Sequence, residues 1–270
     1  MKKNFSIRRR LPRSRTFVLG FLILSMCALS GCNLSYRAFY RTFAGIKMKF
    51  TWMGPEEIAQ DFEKKGVLTD QAFVLDTASY KHAVVEGYKS EMDSVFPEGP
   101  LNREDSLAVG VMARNRKDDL QPVHVRYFTA DGSPIFKLVN CYLDPPIPMS
   151  WNVEGAFDEF PPRPIAELKD VEDDSLSFFL KHIRRLNGSD FAAADLPKAD
   201  YYAVLFINDY MVRPSRKLLK EVRKYHKQHP DKEVHVLYVN NHNATMWWMM
   251  KPETRESVKA QLAEGATASQ

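Results

Sequence analysis

Tyr201-Tyr-Ala-Val-Leu-Phe-Ile-Asn208, a turn, an amphipathic run over about 214–229, then Glu233-Val-His-Val-Leu-Tyr-Val-Asn240: the stretch 199–241 decides the fold. Its two outer runs are short, continuous and rich in β-branched and aromatic residues, as strands buried on both faces of a parallel sheet are. Between them Leu218, Leu219, Val222, Tyr225 and His226 recur at helical spacing, which predicts a crossover helix packed on that sheet. The expectation is a βαβ unit, α/β in class, with the whole chain α+β once its flanks are counted.

Upstream, Asp170, Glu172, Asp173 and Asp174 precede Leu176-Ser-Phe-Phe-Leu180, and Lys181, His182, Arg184 and Arg185 follow. Acids first and cations last suit the dipole of a short helix. The acids lack the alternate spacing and glycine of a calcium loop, so no metal is expected there. Pro145, Pro146, Pro148, Pro161, Pro162 and Pro164 mark a connector over 145–164, and Trp151, Phe157 and Phe160 predict that it packs on the body. Before the connector, 54–144 reads as an N-terminal α+β portion. It opens on Pro55-Glu56-Glu57 and a helix carrying Ile58 and Phe62, and 72–92 is either a strand leading into a helix or one helix. A strand over 107–112 and a hairpin follow, the hairpin turning at Asp131-Gly132 between Val123-His-Val-Arg-Tyr-Phe128 and 135–143. The α/β unit is expected over 165–264, with a further helix at 253–262 and a polar tail at 265–270.

Beyond the second strand stands Met246-Trp247-Trp248-Met249-Met250. Trp247, Trp248 and Met249, just past the carboxyl end of a parallel strand, either line a ligand pocket or partner surface or cap the core. The cationic helix face (Arg213, Arg216, Lys217, Lys220, Arg223, Lys224 and Lys227) is either a solvated face or a patch for anionic headgroups or an acidic protein. The seven histidines show no ligand spacing, and no phosphate-binding glycine loop or nucleophile elbow is present, so no metal or cofactor is expected. Asp209 reads as a helix cap.

The charge balance belongs to the leader. Seven of the 38 cations, and no acid, fall in 1–31, leaving 31 cations against 34 acids in the remainder. A net acidic, exported body excludes nucleic acid as a partner. After this cationic start comes an apolar run at 17–29, too short to span a membrane and right for a signal peptide, ending in Leu29-Ser30-Gly31-Cys32. This resembles the lipobox of bacterial lipoproteins. The resemblance implies cleavage after residue 31 and acylation (palmitate and its relatives) of Cys32, with membrane lipid as partner, since two or three chains hold where one does not. Asn33 in the following position implies the outer membrane more than the inner, facing the periplasm, and 32–53 becomes a membrane-proximal segment. Arg8-Arg9 does not complete a twin-arginine pattern, so general export is expected. Cys27 leaves with the leader, and Cys141, alone in an apolar run, is expected as a buried small hydrophobe.

Val212-Arg213-Pro214-Ser215 followed by Arg216-Lys217, between the two strands, resembles the motif of thioredoxin-like proteins, nearest to the envelope thiol-disulfide oxidoreductases. Their pattern is Cys-x-x-Cys then Arg-Lys. Here proline keeps its place and both sulfurs are gone. The resemblance therefore implies a thioredoxin-like core and removes its chemistry, because exchange needs a stabilised thiolate and a second, resolving thiol. The family's later cis-proline, antiparallel hairpin and last helix have little room after 241; either the sheet is truncated or the earlier hairpin supplies its antiparallel strands. The function expected is a non-catalytic envelope lipoprotein acting by binding an envelope protein or by structural support. Its rivals are an enzyme related to the oxidoreductases and using Cys141, a hydrolase assembled in three dimensions, and a small-ligand carrier built on Trp247 and Trp248.

Overall fold

The computed structural model describes residues 45, 47, 51–87, 117–143, 150–165, 175–251 and 253–255. Two compact units divide the chain, Met1–Ala44 and Gly45–Gln270, and every described residue belongs to the second. The leader, Cys32, most of 32–53, the strand expected at 107–112, the acids of 170–174, most of 253–262 and the tail lie outside the described residues.

One six-stranded mixed sheet carries the fold. Its strands are β1 (Ala72–Leu75), β2 (His124–Thr129), β3 (Pro134–Val139), β4 (Ile183–Arg185), β5 (Tyr201–Ile207) and β6 (Val234–Asn240), in the order β3-β2-β5-β6-β1-β4. β5, β6 and β1 run parallel; β2 pairs antiparallel with β5, β3 with β2, and β4 with β1. Strands from both sides of the proline-rich connector thus share a sheet, and the boundary expected at 145–164 separates stretches of sequence whose strands pair. The hairpin 124–139 supplies the antiparallel strands beside β5. Phe160–Pro161 is the cis peptide bond of the described residues, so Gln121–Pro122, two residues before β2, is trans.

Among the described residues the helices named here are α1 (Pro55–Lys64), α2 (Thr77–Lys81), α3 (Leu176–Leu180), α4 (Val212–Gln228) and α5 (His242–Met249). α1 starts as its sequence suggests: Pro55 pre-sets φ, and the Glu57 carboxylate accepts the free Gly54 N–H at 2.9 Å. After β1, Asp76 caps α2 by accepting Ser79 N–H at 3.0 Å. α4 begins two residues before the expected Pro214. Between α1 and α4 and the sheet lies a core of Ile58, Phe62, Val125, Tyr127, Leu205 and Leu218 with their neighbours. A second core, on the other face under α2, α3 and α5, gathers Tyr80, Phe128, Phe179, Phe206, Val239 and Ala244. Each fully buried side chain of this size contributes roughly 1.5–3 kcal/mol.

The connector packs down, and it does so on α4. Trp151, 1% exposed, donates Nε1–H to Pro214 O at 3.0 Å, Phe160 stacks on Tyr225 with centroids 5.5 Å apart, and the Tyr225 hydroxyl donates to Glu159 O at 2.8 Å.

Two local expectations need correction. Ile183-Arg184-Arg185 is not the basic end of a helix but edge strand β4, because His182 N–H closes α3 on Phe179 O and Ile183 then pairs with Leu75 and enters the core. Pairing with an open sheet edge and burial of Ile183 outweigh a helix-dipole term of about 0.3–1 kcal/mol. Cys141 is exposed, not buried: β3 ends at Val139, and a 3-10 turn over Asn140–Tyr142 rotates the cysteine off the strand.

Candidate site at the carboxyl ends of the parallel strands

β5 and β6 end side by side, where open α/β sheets bind ligands. Asn208, the residue after β5, is fully buried and ties five segments together. Its Nδ2 donates to Pro122 O at 3.0 Å, at the start of the hairpin, and to Asn241 Oδ1 at 3.3 Å, at the end of β6. A longer contact of 3.5 Å reaches Thr245 Oγ1 in α5. Asn208 Oδ1 accepts Met211 N–H at 2.7 Å, setting the turn into α4. Asp209, expected as the cap, instead forms an ion pair with Lys47.

Val212, Arg213, Pro214 and Ser215, which the resemblance to a thioredoxin-type motif singled out, form the first turn of α4. Val212 and Arg213 are half-buried and Pro214 is buried. Ser215 is fully buried, and its hydroxyl accepts Asn208 N–H at 3.2 Å and donates to Asn208 O at 3.0 Å. Its only proton is thus committed to a backbone carbonyl away from solvent, which leaves no route for a base to activate it. Valine has nothing to ionise.

Trp247, Trp248 and Met249 stand on the last turn of α5 and diverge. Trp247 meets Trp52 edge to face at 6.5 Å, Trp248 packs beside Tyr80 at 6.1 Å with its indole N–H buried and unpaired, and Met249 is 54% exposed. α5 is held from the other side by residues 51–53: Asn243 accepts Met53 N–H at 3.0 Å and donates to Met53 O at 2.9 Å, and His242 Nε2 lies 3.0 Å from Thr51 O. Burial keeps the His242 imidazole below its ordinary pKa.

Beside the motif opens a cleft of about 360 Å³ that sequence reading missed. Lys47, Lys64, Lys65 and Arg216 face Glu57, Asp61 and Asp209 across it, and Lys65 pairs with Asp61 much as Lys47 pairs with Asp209. No local signal could have found it, since Lys47 and Asp209 are 162 residues apart. A second, mostly apolar cleft of about 600 Å³ lies between α1 and the residues after β4, including Ala59, Arg185 and Leu186. Neither cleft is lined by Trp247 or Trp248. Among the described residues no His, Cys, Asp and Glu group could hold a metal ion, and no helix is long and apolar enough to cross a membrane.

A second polar concentration sits within the hairpin. Arg126 pairs with Asp119, Lys137 Nζ lies 3.3 Å from Asp118 Oδ2, and all four side chains are at least nine-tenths buried. His124, wholly buried beside them, packs on Phe206 at 4.0 Å. Its pKa is held well below the ordinary value, first by burial and then by Arg126 and Lys137. The exposed Cys141 thiol is pushed up by partial burial of its sulfur and by Asp118, the reverse of what a redox cysteine requires.

No protein-family model, curated protein or solved structure matches the chain. What the site can do therefore rests on its own geometry: around Asn208 and Ser215 it offers buried amides, paired charges and an inert helix start, while beyond β1 the Ser79 hydroxyl meets His182 Nδ1.

Proposed function

We propose that this protein is a lipid-anchored lipoprotein of the bacterial envelope, held by acylated Cys32 and facing the periplasm, with Asn33 favouring the outer membrane over the inner. Its body is a redox-inactive thioredoxin-like domain that serves by binding an envelope protein or by structural support. The domain reading is supported by the surroundings of β5: a parallel partner reached through a helix that starts directly behind the strand, and an antiparallel hairpin on the opposite side, although the proline before that hairpin, Pro122, is trans where the family's is cis. In thioredoxin-like proteins the hairpin follows the βαβ unit; here it precedes it, which would make the arrangement a permuted one.

The observation that carries the loss of activity is Ser215, buried and bonded to Asn208 where the second sulfur would stand, behind an aliphatic Val212. Two measurements test the reading. Insulin-disulfide reduction by the mature protein is expected at background and unchanged in Cys141→Ser; turnover that disappears in that variant would install the oxidoreductase reading instead. Val212→Cys with Ser215→Cys places two thiols three residues apart on a helix, within the roughly 4.4–6.8 Å between Cα atoms that a disulfide needs. This double variant is expected to form that disulfide and to gain reductase activity, and a pair that stays reduced under oxidant would remove the thioredoxin-like reading. Mass analysis of protein taken from cell membranes tests the anchor, with acyl mass expected on Cys32.

A further inference from the structure

α4 carries its charge in an order that helix stability does not favour. Arg213, Arg216, Lys217 and Lys220 fall in its first nine residues, with no acid in the first turn, although the N-terminal end of a helix dipole repels cations. Arg213 with Lys217, and Arg216 with Lys220, are also like-charged pairs four apart, an arrangement that weakens a helix. The crowding shows in Lys217, whose pKa is lowered by burial and by Arg213. With Lys224 and Lys227 these cations form one stripe, about 100° wide and about 21 Å long at the usual helical rotation and rise. The stripe lies opposite the buried face of Leu218, Leu219 and Val222. Arg216 is exposed at the rim of the charged cleft and Lys224 pairs with Glu221 at 3.2 Å, whereas Lys220 and Lys227 are exposed with no ion pair among the described residues, although the body of the protein is net acidic.

The chain enters this unit at the same place. Lys47 N–H donates to Tyr210 O at 2.9 Å, and Gly45 lies so close to the first turn of α4 that a β-carbon on it would stand 2.5 Å from Arg213 Cβ. The link from residue 32 to Gly45 spans at most about 45 Å when fully extended. An acyl chain on Cys32 would therefore keep the start of the stripe near lipid headgroups at high effective concentration, an advantage no untethered acidic protein has.

We propose that the outer face of α4 is a docking surface for anionic phospholipid, laying the anchored domain on the bilayer through Arg213, Arg216, Lys217, Lys220, Lys224 and Lys227. The inference rests on the anchor reading above and names the surface that reading leaves open. Charge complementarity selects the occupant: a row of cations on a rigid helix matches a plane of phosphates, and its contribution falls off within a Debye length of the surface.

The test uses the acylated protein purified from membranes and reconstituted into vesicles of phosphatidylcholine alone, or with phosphatidylglycerol at about one part in three. Flotation with the neutral vesicles reports the anchor; lysine acetylation by a water-soluble reagent, read by mass spectrometry, reports docking. On anionic vesicles Lys220 and Lys227 are expected to react roughly five- to tenfold more slowly than on neutral ones, with the difference removed by high salt. Lys181 and Lys198, exposed elsewhere, keep their rates. The doubly reversed Arg216→Glu with Lys220→Glu is expected to float with both vesicles and to lose the protection of Lys227. Equal reactivity on the two lipids, or protection already present on neutral vesicles as contact with another protein copy would give, overturns the docking surface. Failure to float with neutral vesicles overturns the anchor and is read separately.

Discussion

On the face under α1 and α4, β2 turns Val125 and Tyr127 inward, and the one ionisable group it buries there, the Tyr127 hydroxyl, lies 2.9 Å from His226 Nε2. On the opposite face the same strand turns in His124 and Arg126, beside Lys137 of β3 and the carboxylates of Asp118 and Asp119. A strand with both faces buried must send alternate residues into each core. Here one core accepts apolar side chains whose contributions come in increments, whereas the other holds charges that are tolerable only together. Buried ion pairs are a poor source of stability when intact, yet breaking one is severe, because the remaining charge has lost its partner in a low dielectric.

That contrast can be broken by mutation. Asp119→Ala, which removes the carboxylate that Arg126 pairs with, is expected to cost about 3–5 kcal/mol in urea unfolding. Phe136→Leu, a partial truncation on the other face, should cost well under half as much, and comparable losses would mean the two cores do not differ in kind. Asn208→Ala should fall between them at about 1–3 kcal/mol, since it strands the Met211 N–H and the Pro122 carbonyl. Acid sharpens the comparison next. Burial holds His124 well below 6.5 and His226 near 4, so each stays neutral in the fold while the unfolded chain takes up a proton at about 6.5. The contribution of each is complete above pH 6.5 and declines as pH falls below it, for His226 through about 4, with a slope of at most about 1.4 kcal/mol per pH unit for each histidine. His226→Gln should flatten that decline in a series of thermal melts, and an unchanged slope would exclude His226 from it. The smallest effect belongs to Cys141→Ser, which lies on an exposed turn and should move stability by no more than about 0.5 kcal/mol.

How far these features could be read in advance follows from the range over which they are specified. β5, α4 and β6 announce themselves because period and length are local, and Asp131-Gly132 fixes a hairpin because Gly132 takes φ 84 in its turn. The short strands β1 and β4 were not legible in the same way. Ala72–Leu75 is too brief to show a period, and Ile183–Arg185 becomes a strand only because Phe73 and Leu75 offer it an edge. Cys141 misled because an apolar run does not reveal where its strand stops. Val212 to Ser215 were singled out by a resemblance, but the burial of Ser215 and the role of Asn208 depend on Pro122, Asn241 and Thr245, which are remote in sequence.

By itself the sequence determined the βαβ unit and the helix that joins its strands, since residue identity and local periodicity need no partner. Tertiary structure alone decided that the hairpin joins the same sheet on the far side of β5, that charges are buried in pairs behind β2, and that Lys47 and Gly45 meet the first turn of α4. Those outcomes depend on strand register and on which distant backbone closes each hydrogen bond, and neither is encoded within any single stretch of the chain.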